Sequence, residues 1–351
     1  MAAELAPAPA APGTAEDAYA RPTLRLPWLQ LLQISMYWFG INAIWGGWEV
    51  LNQEKVPELF GEEMAGRAMF PVELLGALIA IAVQPTVGCI SDYTMSRWGR
   101  RKPYIAIGAS LDVVFLLGIA TSSTPVALIA FLLLLQFSSN FAQGPFQGYV
   151  PDLVPDHQVG IASSLVGLFS VLGNVAGFAI AALALALYAT VPSSFFVATM
   201  SLAALELATM VSVVWRVDDG PAPRDRHGRS WWAVAREAWG TDILRERSFV
   251  FLVSSRFFVL MGAGVLVNGA VFFLARSLAL DTSAAGIALL GVLAVVTAGN
   301  VVAVVPAARI SDRVGRKPVI YVACALGAAA GVVNCHAHAL RRSFAVEMLM
   351  P

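Results

Sequence analysis

The sequence predicts an all-α membrane protein with about nine transmembrane helices. Of the 351 residues, 58% are hydrophobic and only 13% are charged, whereas soluble domains have about 45–50% apolar and about 25% charged residues. Mean hydropathy is +0.71, and the apolar residues recur in segments of about 20 residues, the length that a helix needs to cross a bilayer. Because the net charge is zero, no binding to nucleic acid is expected.

The apolar segments divide into a group of six and a group of three. The predicted spans lie near 28–50, 68–91, 104–121, 125–149, 161–187 and 194–215, and then near 249–275, 284–308 and 318–338. Most of the connections between them are short and rich in Pro, Gly and Ser, as expected between antiparallel neighbours.

The segments outside the spans complete the predicted organisation. Residues 1–25 are rich in Ala and Pro and have no apolar core after a basic start, so they predict a disordered cytoplasmic tail. Residues 216–247 hold a run of arginines and an amphipathic stretch near Trp231, which predicts a cytoplasmic linker on the membrane surface. The remaining predicted regions are an N-terminal six-helix half at 26–215, a partial C-terminal half of three helices at 248–339, and a tail at 340–351.

The Lys and Arg residues predict the orientation in the membrane. If the N-terminus is cytoplasmic, most of these residues fall in the inside segments, in agreement with the positive-inside rule. We therefore predict an integral membrane protein with a cytoplasmic N-terminus, located in the plasma membrane.

Two loops share one sequence pattern. Residues 91–103 read SDYTMSRWGRRKP, and residues 311–318 read SDRVGRKP. Each places an Asp at a predicted helix C-terminus, followed by a Gly turn, a basic cluster and a Pro that suits the first turn of the next helix. Any cytoplasmic loop is rich in Arg under the positive-inside rule, but the recurrence of the whole pattern six spans apart favours an internal repeat.

These loops resemble the signature of the major facilitator superfamily between its second and third helices and its weaker echo between the eighth and ninth. The basic linker is similar to the joint between the two halves of that fold, and the resemblance covers roughly 25–338. It implies the major facilitator fold, with a complete N-terminal half and an incomplete C-terminal half. In that family the loop carboxylates and arginines form a cytoplasmic gate, which corresponds here to Asp92, Arg97, Arg101, Asp312 and Arg316.

A narrower resemblance points to a function. Residues 91–105 and 140–155 (NFAQGPFQGYVPDLVP) resemble the glycoside–cation and sucrose symporter branch of the superfamily. That branch implies a proton-coupled sugar or glycoside symporter that works by alternating access, with a small-molecule substrate, protons and the lipid bilayer as partners. The alternatives are a drug or metabolite exporter of the same superfamily and a non-transporting, truncated membrane protein.

No enzyme, cofactor or metal site is predicted. The sequence has no Gly-rich phosphate loop and no HExxH motif, and no Cys or His spacing suits a metal. The C-terminal stretch 336–351 is too short and too mixed in polarity to span a bilayer. We therefore expect the last three helices of the second half to be missing.

The fourth span carries four amide side chains on one helical face. Their offsets of 0, 4, 7 and 11 residues place them together, and amides both donate and accept hydrogen bonds, which suits sugar hydroxyls. Hydrogen bonding between neighbouring helices is the other interpretation. The candidate substrate-binding residues on this span are Gln136, Asn140, Gln143 and Gln147.

The first span has a similar polar face, which carries Asn42, Trp45 and Glu49. Asn42 and Trp45 are candidate substrate-binding residues because an indole ring can stack on the apolar face of a sugar. Trp45 can equally be an interfacial aromatic residue. Glu49 is a candidate for proton coupling, or it is simply solvated near the helix end.

Further charged groups lie within predicted spans, and they include the carboxyl groups of Asp112 and Glu206. Burial away from water favours the protonated form of a carboxyl group, and ionisable residues inside a membrane usually serve a function. Asp112 and Glu206 are therefore further candidates for proton coupling. The alternative is a structural pair, for instance with Arg256.

Overall fold

The structure is a computed structural model, and it divides into two units, Met1–Trp239 and Gly240–Pro351. In the first unit it describes residues 22–94, 96–188, 191, 193–219, 228–237 and 239. In the second unit it describes residues 240, 245–255, 258, 298–299, 302–303, 306–307, 309–311, 313–315 and 317–329. Within these residues all regular secondary structure is helical, so the predicted all-α class is confirmed.

The first unit is built from long helices joined by short turns. The helices are α1 (Trp28–Ser35), α2 (Tyr37–Phe60), α3 (Glu62–Asp92), α4 (Lys102–Thr121), α5 (Pro125–Gln147), α6 (Tyr149–Leu153), α7 (Val159–Tyr188), α8 (Ser194–Arg216) and α9 (Trp231–Glu237), with a 3₁₀ turn at Asp156–Gln158.

Five of the described helical segments are long and apolar enough to cross a membrane. They are Ala68–Asp92, Lys102–Thr121, Pro125–Leu153, Asp156–Leu185 and Ser194–Arg216. These segments match the second to sixth predicted spans within a few residues.

The first predicted span differs from the structure in two respects. The helix is interrupted at Met36, which separates α1 from α2, and α2 continues to Phe60 instead of ending near residue 50. The acidic residues Glu49, Glu54 and Glu58 lower the hydropathy of α2. Composition alone therefore does not mark the full length of this helix.

The proline and glycine signals of the repeated loops are confirmed. Gly99 and Gly315 both have positive φ angles, 107° and 93°, a region that favours glycine. Each loop then leads into a helix that begins with Lys-Pro, at Lys102 in the first unit and at Lys317 in the second. Helix α5 also has a proline, Pro125, in its first turn. Thr124 caps this helix by accepting a hydrogen bond from the Ala127 N–H.

The long helices of the first unit pack in a defined arrangement. Helix α2 lies against α7 and α8, α4 lies between α5 and α8, and α3 packs on α5. Glycines permit the closest approach: a Cβ at Gly177 would lie 2.1 Å from the Ala43 carbonyl oxygen, and one at Gly173 would lie 2.3 Å from that of Phe39. Small residues bring membrane helices together in this way.

Two apolar clusters form the core of this unit. One, at the end where the repeated loop lies, includes Tyr37, Phe146 and Tyr149, whose rings meet edge to face. The other, at the opposite end, includes Leu128 and Leu202. The polar side chains described below lie among these helices.

Helix α9 of the predicted linker contacts α3. Val234 is fully buried, its carbonyl oxygen accepts a hydrogen bond from Cys89 at 3.3 Å, and Trp239 Nε1 donates to Thr86 at 2.9 Å. Trp232, by contrast, is 81% exposed. The helix thus buries one face against α3 and exposes another, while the amphipathic character of the linker and its position on a membrane surface stay predictions.

Only short stretches of the second unit are described, so few of its predicted features can be compared with the structure. Its described helical stretches are 247–255 and Lys317–Ala329, together with shorter pieces. Asp312, Arg316 and Arg256 lie outside the described residues, as do most of the seventh and eighth predicted spans. The count of nine helices and the predicted domain boundaries therefore stay predictions.

Candidate functional site

Two arginines of the first repeated loop are buried between two carboxylates. Arg100 and Arg101 are 4% and 5% exposed. Arg101 Nη2 lies 2.8 Å from Asp92 Oδ1 and 2.6 Å from Asp152 Oδ2. Arg100 pairs with Asp152 and lies 3.7 Å from Asp92 Oδ1. We name these four residues the loop charge cluster; two positive and two negative charges balance within it.

A glycine and a carbonyl group hold the Arg101 side chain in place. Its Nη1 donates to the Pro145 carbonyl oxygen at 2.9 Å. A Cβ at Gly148 would overlap the guanidinium, at 1.1 Å from Nη1. The junction between α5 and α6 therefore has the shape that the guanidinium needs.

Asp219, which follows α8, hydrogen-bonds to the start of α4 and to α6. Its carboxylate accepts hydrogen bonds from the Arg101 backbone N–H at 2.6 Å and from the Tyr149 hydroxyl at 2.7 Å. A Cβ at Gly99 would lie 2.2 Å from the same carboxylate. Because the free N–H groups of a helix start favour an anion, Asp219 caps α4 and links it to α6.

The structure groups only some of the predicted gate residues. Asp92 and Arg101 meet directly, whereas Arg97 is exposed and lies over the Trp98 ring at 5.9 Å. Sequence reasoning missed Arg100, Asp152 and Asp219. The signal for Asp152 was its place in the sequence stretch that resembles sugar symporters.

The polar face of α5 meets a single amide on α3, that of Gln84. Gln84 Nε2 donates to Asn140 Oδ1 at 2.5 Å and lies 3.4 Å from Gln143 Oε1. Gln147 Nε2 donates to Gln84 Oε1 at 3.2 Å. Gln136 belongs to the same network because its side-chain oxygen accepts from Asn140 at 3.2 Å. We name these five residues the amide seam.

The amide seam is graded in exposure. Asn140 and Gln143 are buried, Gln136 is half-buried and Gln147 is exposed. All four predicted residues therefore share one face, as their spacing predicts, and that face joins two helices. Gln84 was missed because a lone amide on α3 carries no periodic signal.

The polar face of α2 has different neighbours. Asn42 donates to the Trp38 carbonyl oxygen at 2.8 Å and accepts from Asn174 of α7 at 3.5 Å. Trp45 is half-buried against both apolar clusters, and Glu49 is exposed. Within the described residues, neither Asn42 nor Trp45 has a hydrogen bond to the amide seam.

The remaining two candidate carboxyl groups lie together deep in the bundle. Asp112 on α4 and Glu206 on α8 are both 0% exposed and lie within hydrogen-bonding reach of each other. Ser138 donates to Asp112 Oδ1, and the Tyr37 hydroxyl donates to Glu206 Oε1 at 3.0 Å. We name Asp112 and Glu206 the carboxyl pair. Arg256, the alternative partner considered from the sequence, lies outside the described residues.

The sequence profile of the Major Facilitator Superfamily matches residues 72–349. The chain belongs to the Major Facilitator Superfamily. The match includes the repeated loop of the first unit and extends through the second unit. Because this superfamily consists of membrane transporters, the predicted major facilitator fold and the predicted integral membrane character are confirmed, as is the prediction that the chain is not an enzyme.

Three sucrose transport proteins from plants are similar to a limited part of this chain. Over 127 residues it is 34% identical to sucrose transport protein SUT1 of Oryza sativa subsp. japonica, covering 30% of this chain and 24% of the rice protein. Over 124 residues it is 34% identical to sucrose transport protein SUC4 of Arabidopsis thaliana, covering 30% and 24%. Over 128 residues it is 31% identical to sucrose transport protein SUC3 of the same plant, covering 30% and 21%.

These matches confirm the predicted resemblance to the sucrose-symporter branch. The matched stretch spans about a quarter of the length of each of these relatives. Substrate, coupling ion and the roles of individual residues are therefore matters for the proposal that follows.

Proposed function

We propose that this chain acts in secondary active transport as a proton-coupled symporter for a sugar or glycoside, working by alternating access in the plasma membrane. The observation that carries the proposal is the similarity to three proteins named sucrose transport proteins, at 31–34% identity. The amide seam supports it, since a row of groups that donate and accept hydrogen bonds is the surface that sugar hydroxyls require.

The amide seam is the proposed sugar-binding surface of the first unit. Its hydrogen bonds between α3 and α5 are the ones that a sugar hydroxyl can replace, because each amide keeps both a donor and an acceptor. Gln147 and Gln136 are the least buried members and would meet the substrate first. Asn42 and Trp45 on α2 are proposed as a second contact surface, with the indole ring stacking on the sugar.

The loop charge cluster is the proposed cytoplasmic gate. Asp92 and Arg101 join the ends of α3, α4 and α6 through ion pairs that must rearrange if those helix ends separate. Arg97, Asp312 and Arg316 are proposed gate residues on the strength of the family resemblance alone.

Glu49 is the proposed proton-coupling residue. A coupling carboxyl group must exchange protons with water, and Glu49 is exposed on α2, on the same face as Asn42 and Trp45. Asp112 and Glu206, which the sequence also offers for this role, are enclosed by four helices, and we assign them differently below.

Uptake of radiolabelled sucrose into proteoliposomes, with and without an inward proton gradient, tests this proposal. We expect the gradient to stimulate uptake, the Glu49→Gln variant to lose that stimulation, and the Glu54→Gln variant, changed at an exposed residue of the same helix, to keep it. Uptake that ignores the gradient would contradict proton coupling.

Binding can be measured separately from transport. We expect sucrose or another glycoside to raise the unfolding temperature of the detergent-solubilised chain, because a ligand that binds only the folded state stabilises it. Gln84→Ala should weaken that effect. A chain whose unfolding temperature responds to no glycoside would contradict the assignment of a sugar substrate.

A further inference from the structure

The carboxyl pair is the meeting point of four helices of the first unit. Tyr37 comes from α2, Asp112 from α4, Ser138 from α5 and Glu206 from α8, and all four side chains are 0% exposed. The backbones around them approach closely. A Cβ at Gly40 would lie 2.7 Å from the Glu206 Cα. Similarly, one at Gly108 would lie 2.7 Å from the Ser138 carbonyl oxygen. The pair is therefore enclosed on every described side.

In each carboxyl group of the pair, one oxygen accepts a hydrogen bond and the other oxygen receives none from the described residues. Asp112 Oδ1 accepts from Ser138 and Glu206 Oε1 accepts from Tyr37. Asp112 Oδ2 and Glu206 Oε2 are buried and receive no hydrogen bond from any described donor. Two ionised carboxylates in contact, with no donor between them, would repel each other strongly in a medium of low polarity. One proton on either oxygen converts that contact into a strong O–H···O⁻ hydrogen bond.

We propose that Asp112 and Glu206 share one permanently bound proton, which fastens α4 to α8 as a structural element and does not exchange during transport. The proton comes from water on folding, and it returns to water when the chain unfolds. Of the described residues, only Tyr37 on α2 adds another titratable group that acts on the pair; α5 contributes the hydroxyl of Ser138, which does not titrate. No described lysine or arginine forms an ion pair with either carboxyl group.

The sign of the resulting pH dependence follows from proton counting. In the unfolded chain both carboxyl groups are ionised above about pH 5, whereas the folded chain keeps the shared proton. The folded state therefore binds more protons, so stability is greatest at low pH and falls as the pH rises. One proton corresponds to a decrease of up to about tenfold in the folding equilibrium constant for each pH unit.

Unfolding of the detergent-solubilised chain between pH 5.5 and 8.5, followed by tryptophan fluorescence, tests the proposal. The probe is the double variant Asp112→Asn/Glu206→Gln, in which the amide N–H of one side chain can donate to the oxygen of the other without a shared proton. We expect this variant to fold and to lose most of the decrease in stability with pH. The matched control, Glu54→Gln/Asp218→Asn, removes two exposed carboxyl groups and should keep the wild-type slope.

Equal pH slopes in wild type and double variant would overturn the proposal. If the double variant does not fold, the wild-type chain decides the question: unfolding at pH 8 in a weak buffer should release about one proton per chain, as linkage requires. No release would overturn the proposal. Neither readout involves sugar or transport. The shared-proton proposal can therefore fail while the proposed transport function stands, and the transport function can fail while the shared proton stands.

Discussion

The loop charge cluster and the carboxyl pair each contain two acidic side chains, and they differ in what balances the charge. In the cluster, Asp92 and Asp152 face two buried guanidinium groups. In the carboxyl pair, the described groups that hydrogen-bond to Asp112 and Glu206 are a tyrosine and a serine hydroxyl. A charged arginine at a helix end lies close to the polar headgroup layer. A charged arginine at the bilayer centre is costly in free energy. We infer that the position of a carboxyl group along the bundle decides whether a cation or a proton neutralises it.

The largest expected effect is at the loop charge cluster. Arg101→Ala removes the cation shared by Asp92 and Asp152 and leaves two partly buried carboxylates with Arg100 alone. Breaking a buried ion pair by removing one partner costs about 3–5 kcal/mol, so we expect a loss of that size in the free energy of unfolding, measured by denaturant titration in detergent. Arg97→Ala, at an exposed position, should change it by less than about 0.5 kcal/mol. Similar losses in the two variants would mean that Arg101 is no more important to the fold than a surface arginine.

The carboxyl pair should tolerate loss of charge but not loss of its hydrogen bonds. Glu206→Leu leaves the buried Tyr37 hydroxyl without an acceptor, at a cost of about 1–3 kcal/mol. Glu206→Gln keeps an acceptor for Tyr37 and supplies a donor for Asp112, so we expect a loss below about 1 kcal/mol. The same unfolding titration measures both variants. A Gln variant as unstable as the Leu variant would show that the negative charge itself is required, which would remove the contrast with the cluster.

The amide seam is a neutral counterpart to both sites. Gln84→Leu removes three hydrogen bonds between α3 and α5, each worth about 0.6 kcal/mol on average between membrane helices. We therefore expect a loss of about 1–2 kcal/mol in the free energy of unfolding. A matched control is Gln30→Leu on α1, outside the seam. If Gln84→Leu is as stable as wild type, the seam contributes nothing to the joining of the helices.

The smallest effect is expected at Asp219, which supports the cluster from outside. Asp219→Asn keeps an acceptor oxygen for the Tyr149 hydroxyl but replaces the anion at the start of α4 with a neutral amide, and an anion at a helix start is worth about 0.3–1 kcal/mol. Asp218→Asn, at the exposed neighbouring residue, should be close to neutral. Thermal unfolding of the two variants side by side would show the difference, and equal unfolding temperatures would argue against a role for the Asp219 charge at the α4 start.

Hydropathy and the repeated loop predict much of the fold. Apolar length predicts the membrane-spanning segments of α3, α4, α5, α7 and α8 within a few residues, and Pro marks the starts of α4 and α5. The Asp92–Arg101 contact follows from the shared loop pattern. Helical periodicity correctly places Gln136, Asn140, Gln143 and Gln147 on one face. Periodicity is a property of one helix, however, and it carries no information about which helix packs against that face.

The missed partners all depend on packing between distant segments. Gln84 and Asp219 are single polar residues whose roles appear only once α3 meets α5 and the α8 end meets α4. Asp112 and Glu206 were recognised singly, but their contact requires α4 to lie on α8. Arg97 and Arg100 look equivalent in the loop sequence. The turn at Gly99 buries Arg100 while Arg97 stays exposed.

Infrared spectroscopy of the folded chain at pH 8 tests the central difference between the two regions most directly, because a protonated carboxyl group has a C=O stretching band that a carboxylate lacks. We predict a band from one protonated carboxyl group in the wild-type chain, absent from Asp112→Asn/Glu206→Gln and unchanged in Asp92→Asn, whose carboxylate is balanced by arginine. A spectrum in which the double variant keeps the wild-type band, or in which wild type has no such band, would contradict a proton held between Asp112 and Glu206.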